Sequence, residues 1–144
     1  DMPILYSCHP RSRKFIEERG FKFDRRVIKN QPLGFHDYNH LQQNAFCVVS
    51  DSGTVAEEGS YFKFPAVSIR TSTERPEAMD KGIFVIGSIT TEQVLQAVDL
   101  AVEMHKNGDF ALTCPAYDDA NVSTKIVKLI QSYTGIINRM VWRK

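Results

Sequence analysis

The chain predicts an α/β fold, a parallel sheet with helices on both faces, and three observations carry that prediction. Short apolar runs alternate with amphipathic segments in the order β-α-β-α-β-α-β-α, the pattern of parallel strands joined by crossover helices. The run Phe46–Ser50 is apolar on both faces, as a buried central parallel strand must be. That run leads directly into Ser50-Asp-Ser-Gly-Thr-Val-Ala-Glu-Glu58, a small-residue turn that opens a helix carrying carboxylates in its first turns.

The elements follow in order. Ile4–Cys8 is an apolar strand, and Ser12–Arg19 a helix that Gly20 ends in the usual C-terminal position. Phe21–Lys29 holds a second strand, and Gln31–Gly34 is a loop around Pro32. Phe35–Asn44 is helical, with Leu41 and Ala45 on its inner side. After the Phe46–Ser50 strand, Thr54–Phe62 forms a short helix. Thr54 and Glu57 have the spacing of a capping box.

Pro65–Ile69 is the next strand, and Arg70–Arg75 a loop rich in hydroxyls. Pro76 suits the first position of a helix, with Glu77 beside its positive end; that helix stops at Gly82. Ile83–Ile86 is a strand. Thr91–Lys106 is an amphipathic helix with Val94, Leu95, Val98, Ala101 and Val102 on one side, closed by Asn107-Gly108. Phe110–Asp118 is loop. Ala120–Tyr133 is the final helix, with Val122, Ile126, Leu129 and Ile130 on one side. Ile136–Trp142 adds apolar residues that need a partner.

Composition bounds the function. A chain of 144 residues is one domain with room for a core, and its net charge of +1 gives no field to attract nucleic acid or a membrane surface. No apolar run is long enough to span a bilayer. Cys8, Cys47 and Cys114 are odd in number and far apart, a pattern for neither disulfides nor zinc. Cys8 and Cys47 lie in apolar strands and read as buried packing residues, and the compartment as reducing cytoplasm. His36 and His40 lack a third ligand for a metal. The chain begins at Asp1 rather than Met and enters its first strand almost at once. It therefore reads as a piece with something removed upstream.

The turn after Phe46–Ser50 carries the chemistry. It frees backbone N–H groups and aims the positive end of a helix at whatever lies above, which suits a phosphate. A carboxylate one to two turns further on can accept hydrogen bonds from sugar hydroxyls. Strand–turn–helix junctions that bind nothing are common in α/β proteins. Here, though, Cys8–Arg13, Ser50–Glu58 and Arg70–Glu77 all fall where strand carboxyl ends meet helix starts, the edge where ligands collect. A nucleotide or nucleotide-sugar is the implied ligand.

These residues resemble a known family. Ser50-Asp51-Ser52-Gly53 with Glu57-Glu58, then Pro65, Arg70 and Thr73-Glu74-Arg75-Pro76-Glu77-Ala78, is similar to the pattern of the non-hydrolysing UDP-N-acetylglucosamine 2-epimerases: D-S-G-G-x-x-E-E, G-K-P, R-x-T-T-E-R-P-E-A. His9-Pro10-Arg11 resembles their V-H-P-R segment, and Pro32-Leu33-Gly34 with Tyr38 their P-L-x-Y/F-x-x-F loop. Tyr117-Asp118-Asp119 leading into Ser123–Val127 resembles their closing Y-G-D-G helix. The match spans essentially the whole chain. Thr54 departs from the pattern by replacing a second glycine. With the extended tail through Lys144, it resembles the branch that makes UDP-N-acetyl-L-fucosamine for bacterial capsule or O-antigen.

The resemblance implies the carboxy-terminal half of a two-domain, glycosyltransferase-B-like protein. Residues 1–132 would be a Rossmann-like UDP-binding domain, and residues 133–144 a tail packed on an amino-terminal domain that holds the catalytic carboxylates. Ser52, Gly53 and Thr54 would face the diphosphate, with Thr54 otherwise a helix cap. Glu58 would hold the ribose hydroxyls, leaving Glu57 as the capping residue. Tyr38 would pack near uracil or simply join the core. Arg70, Thr73, Glu74 and Arg75 would order the loop or reach the sugar. His9 and Arg11 would face the interdomain gap or lie on the surface.

The implied reaction inverts C2 of a UDP-N-acetyl-hexosamine by elimination and re-addition of UDP, with no cofactor and no metal. The intact protein would be a homo-oligomer, and this chain alone would be inactive. Two rival readings remain: the UDP-sugar half of a glycosyltransferase, against which Thr73–Ala78 argues, and a non-catalytic regulatory binding module.

Overall fold

The computed structural model describes residues 2–144, and Asp1 lies outside the described residues. Among the described residues five short strands alternate with helices, and every strand pair is parallel. β1 (Ile4–Ser7) pairs with β2 (Val27–Asn30) in the register Ile4 to Val27. A second sheet takes the order β3 (Val48–Ser50), β4 (Ala66–Ser68), β5 (Val85–Ile86). The helices are α1 (Pro10–Glu18), α2 (Phe35–Gln43), α3 (Val55–Phe62), α4 (Pro76–Asp80), α5 (Thr91–Lys106) and α6 (Val122–Ile137).

Period-two alternation in β4 builds the layers. Ala66 joins a core of Val55, Ala56, Phe64, Ala78, Ile83 and Phe84, drawn largely from the α3 and α4 region. Its neighbour Val67 faces the other way, onto Ala97 and Ala101 of α5. The three-stranded sheet is thus covered on both faces, and Ala56, Val67 and Ala78 are fully buried. Gly20 (φ 59°) and Gly108 (φ 80°) take the left-handed conformation where α1 and α5 end, so the sequence places both stops correctly.

Several expectations change. The central strand of the three is β4, not Phe46–Ser50. β1 and β2 hydrogen-bond only to each other, which leaves β3 an edge strand with Val49 42% exposed and Phe46 outside it. Cys47 also precedes the strand and is only partly covered, whereas Cys8 is buried. The second strand shrinks to Val27–Asn30 because Asp24 turns the chain before it. Its carboxylate accepts the Arg26 N–H at 3.0 Å and its carbonyl the Val27 N–H at 3.0 Å, while Phe21 and Phe23 stack edge to face.

Leu41 is exposed; the residues α2 buries are Asn39 and Gln42. On α5, Leu95 lies off the buried stripe. α6 runs four residues beyond Tyr133 and continues into a π turn, Asn138–Trp142, so the tail is helical, and no residue of either segment is buried.

Candidate functional site

β3 and β4 end side by side at Ser50 and Ser68, and the next N–H groups, of Ile69 and Gly87, bond back to the Ser50 and Ser68 carbonyls at 3.0 and 2.9 Å. The turn beyond Ser50 is closed by its own hydroxyls. Ser50 Oγ accepts the Ser52 N–H at 3.0 Å, and Ser52 Oγ accepts the Thr54 N–H at 3.3 Å while lying 2.9 Å from Thr54 Oγ1. The Gly53 N–H takes no partner among the described residues, at the start of a helix whose peptide dipoles favour an anion.

The capping box does not form. Thr54 is already helical (φ −64°, ψ −16°) and makes no side-chain cap, because its hydroxyl is engaged by Ser52. Glu57, freed from capping, reaches the loop after β4, where its Oε1 accepts Arg75 Nε at 3.0 Å. That hydrogen bond and the Glu57 charge raise the Arg75 pKa further above its ordinary value. Glu57 Oε2 is buried without a partner.

A second clasp lies beside it. Arg70 donates Nε to the Asp51 carbonyl at 2.7 Å and Nη1 to Glu74 Oε2 at 2.5 Å. The backbone N–H of Glu74, and then the Arg70 guanidinium, hold the Glu74 carboxyl below its ordinary value. Thr73 Oγ1 accepts the Arg75 N–H at 3.1 Å and shapes the loop from within. The loop closes so tightly that a Cβ at residue 53 would stand 3.1 Å from Glu74 Oε1 and 3.8 Å from Arg75 Nη2. A side chain here would require the Glu74 carboxylate to give by a few tenths of an ångström, so glycine suits the close approach of the loop and keeps the amide accessible.

Glu58 points to the other side. Its Oε2 accepts Gln42 Nε2 at 2.7 Å, from α2. Tyr38, one helical turn before Gln42, has its phenol pushed up by burial and then by the Glu58 charge. Tyr38 is partly buried.

Behind the loop, Tyr117 donates to Glu77 Oε1 at 2.9 Å, and Tyr61 donates to the Tyr117 carbonyl. Burial, and then Glu77, push the Tyr117 phenol far above its ordinary value. The Cys114 N–H donates to the buried Ser60 Oγ at 2.9 Å, so the segment before α6 is fastened to α3 and α4.

Ser52, Gly53, Thr54, Arg70, Thr73, Glu74 and Arg75 thus gather around one turn, while Glu58 meets Gln42 of α2, the helix that carries Tyr38. His9 caps α1, its Nδ1 accepting the Arg11 N–H at 3.2 Å. Ser52 and Thr54 are exposed, and neither the cavity beside Lys63 and Phe110 nor the one of about 230 Å³ beside Arg13 and Lys29 includes the turn. No group of three His, Cys, Asp or Glu among the described residues could hold a metal ion. Two residues of the site escaped the sequence reading. Glu57 passes for a cap by its spacing. The signal for Gln42 is a glutamine one turn after Tyr38, on the side of the helix where an apolar residue is expected.

Chemically, the arrangement offers a free amide at a helix start, two guanidinium groups beside it and a carboxylate one turn on. It can take an anionic group next to a hydroxylated one. The family model described as UDP-N-acetylglucosamine 2-epimerase matches residues 1–131. A UDP-N-acetylglucosamine 2-epimerase of Methanocaldococcus jannaschii is 30% identical over 111 residues, which is 74% of this chain and 30% of that protein.

Among solved structures, a UDP-N-acetylglucosamine 2-epimerase from Rickettsia bellii is 43% identical with a TM-score of 0.76, covering 99% of this chain and 39% of that one. The M. jannaschii enzyme in complex with UDP-GlcNAc and UDP is 25% identical with a TM-score of 0.74, covering 90% of this chain and 36% of that one. The chain thus spans well under half the length of these relatives.

Proposed function

Since the chain belongs to the UDP-N-acetylglucosamine 2-epimerase family, we propose that it is the UDP-binding part of a UDP-N-acetyl-hexosamine 2-epimerase. The observation that carries this is the juxtaposition of the unpartnered Gly53 N–H with Glu58 on the helix it opens. The amide, the Ser52 and Thr54 hydroxyls and the nearby Arg70 and Arg75 receive the diphosphate. Glu58 accepts from the ribose hydroxyls, and Tyr38 stands beside it.

The reaction we assign is elimination and re-addition. The C2 proton and the C1–O bond to UDP are lost, a C1=C2 double bond forms, and UDP adds back with the proton delivered to the opposite face. Donors that stabilise the departing diphosphate lower the barrier. This chain supplies those donors, and carboxylates elsewhere in the full-length protein move the proton. We assign UDP-N-acetyl-L-fucosamine formation on Thr54 and the extended tail. The free cysteines suit a reducing cytoplasm. Residues 133–144, whose Met140, Val141 and Trp142 are exposed, dock on the remainder of the longer protein, which we take to be a homo-oligomer.

Titration with UDP while recording amide NMR shifts tests the site. Ser52 and Gly53 should move, and saturation without movement at Gly53 would refute the placement. In the full-length protein, Glu58→Ala should weaken UDP binding by about 1.5–3 kcal/mol, the range for a hydrogen bond to a charged group. The 144-residue chain alone should not exchange the C2 proton of a UDP-sugar with deuterium; measurable exchange would show that the proton chemistry resides here.

A further inference from the structure

We propose that Gln42 is a positioning residue for Glu58, holding that carboxylate in the plane from which it meets the ribose diol of a nucleoside diphosphate. The proposal rests on the reading of Glu58 as the ribose ligand. Gln42 is 4% exposed and lies on the face of α2 turned toward α3. A buried primary amide is unfavourable unless its donors and acceptor are matched, and an apolar side chain of the same volume would avoid that penalty. Here the match is partial: Nε2 donates to Glu58 Oε2 at 2.7 Å, while Oε1 is buried without a partner. Packing alone does not account for a glutamine at this position. The hydrogen bond it makes does.

The chemistry of the pair fits the role. An ionised carboxylate only accepts hydrogen bonds, through about four lone-pair sites on two oxygens. One neutral donor on Oε2 fixes the rotation of the group and leaves Oε1, which takes no partner among the described residues, for hydroxyl donors. An arginine or lysine in place of Gln42 would fix the group but also satisfy its charge.

The test is calorimetric titration of the full-length protein with UDP and with 2′,3′-dideoxy-UDP, which lacks both ribose hydroxyls. Gln42→Met should weaken UDP about three- to tenfold, the range of one net hydrogen bond, and leave the dideoxy compound within about twofold. The Gln42→Met/Glu58→Ala double variant should bind UDP no more weakly than Glu58→Ala. If Glu58→Ala weakens UDP selectively but Gln42→Met leaves it unchanged, the positioning role is wrong and the ribose reading stands. If Gln42→Met weakens both ligands equally, the residue only packs, and the proposal is overturned. If Glu58→Ala fails to distinguish the two ligands, the ribose reading itself fails and the proposal goes with it. Should Gln42→Met not fold, the unsubstituted protein decides: the Gln42 side-chain NH₂ resonances should shift on saturation with UDP and not with the dideoxy compound, and the absence of that difference overturns the proposal.

Discussion

The segment from β3 to α5 and the two segments flanking it are written in the same α/β grammar but are packed very differently. Between Val48 and Val102 the sheet is covered on both faces, and Ala56, Val67 and Ala78 lose all contact with solvent. In the flanks, Ile4, Leu5 and Ile28 are about half exposed, and neither α1 nor α6 buries a single residue. The difference teaches where the site can sit. A turn that must hold an amide, two guanidiniums and a carboxylate in register needs a rigid support, and only the layered segment supplies one. The flanks carry exposed apolar surface, Met140 and Trp142 among it.

The comparison breaks most readily by truncating one large side chain in each region. Phe64→Ala, at a residue 5% exposed, should destabilise the chain by about 3–5 kcal/mol. Leu129→Ala on α6, at a residue 57% exposed, should stay within about 0.5 kcal/mol. Urea denaturation of both variants measures this, and similar losses would mean that α6 packs on the domain after all.

A finer contrast uses glycine. A Cβ at Gly87 would meet Val67 Cγ1 at 2.8 Å and Ala97 Cβ at 3.3 Å, so Gly87→Ala should destabilise by about 1–3 kcal/mol. Gly135, inside α6, has nothing within 4 Å. Gly135→Ala should therefore stabilise the helix, by up to about 1 kcal/mol. Thermal melts of the pair should move in opposite directions.

The smallest effect sharpens the picture on the α5 side. Cys47 packs against the Val67–Ala97–Ala101 cluster, and burial pushes its thiol from 9.0 up to about 11. The folded state then keeps a proton that the unfolded chain releases, so stability should fall as pH rises from about 9 to about 11 and level off above that range. Comparing urea midpoints of the unsubstituted chain and Cys47→Ala across this interval isolates the contribution. An equal pH dependence in both would show that the thiol is not shielded.

Much of the site was legible because its signals are local. The Ser52-Gly53 turn, the helix it opens, and the stops at Gly20 and Gly108 follow from backbone preferences within a few residues of each feature. The gathering of Ser50–Glu58 with Arg70–Glu77 followed from the rule that strand carboxyl ends share an edge. The same local rules misled at Thr54 and Glu57, where capping spacing lost to a partner eighteen residues away, Arg75. They also misled at Leu41 and Leu95, where apolar character suggested burial and the helices turned other faces inward.

By itself, then, the sequence determined the α/β alternation and the small-residue turn that opens α3, since short-range sterics and periodicity govern these. Only the tertiary structure decided that β4 is the central strand of its sheet, that Glu57 holds Arg75, that Gln42 holds Glu58 and that α6 stands unpacked. Those outcomes depend on closing loops of many residues and fitting side chains from separate elements into one layer. The loop-closure entropy and the packing that decide between alternatives are properties of the whole chain, not of any window along it.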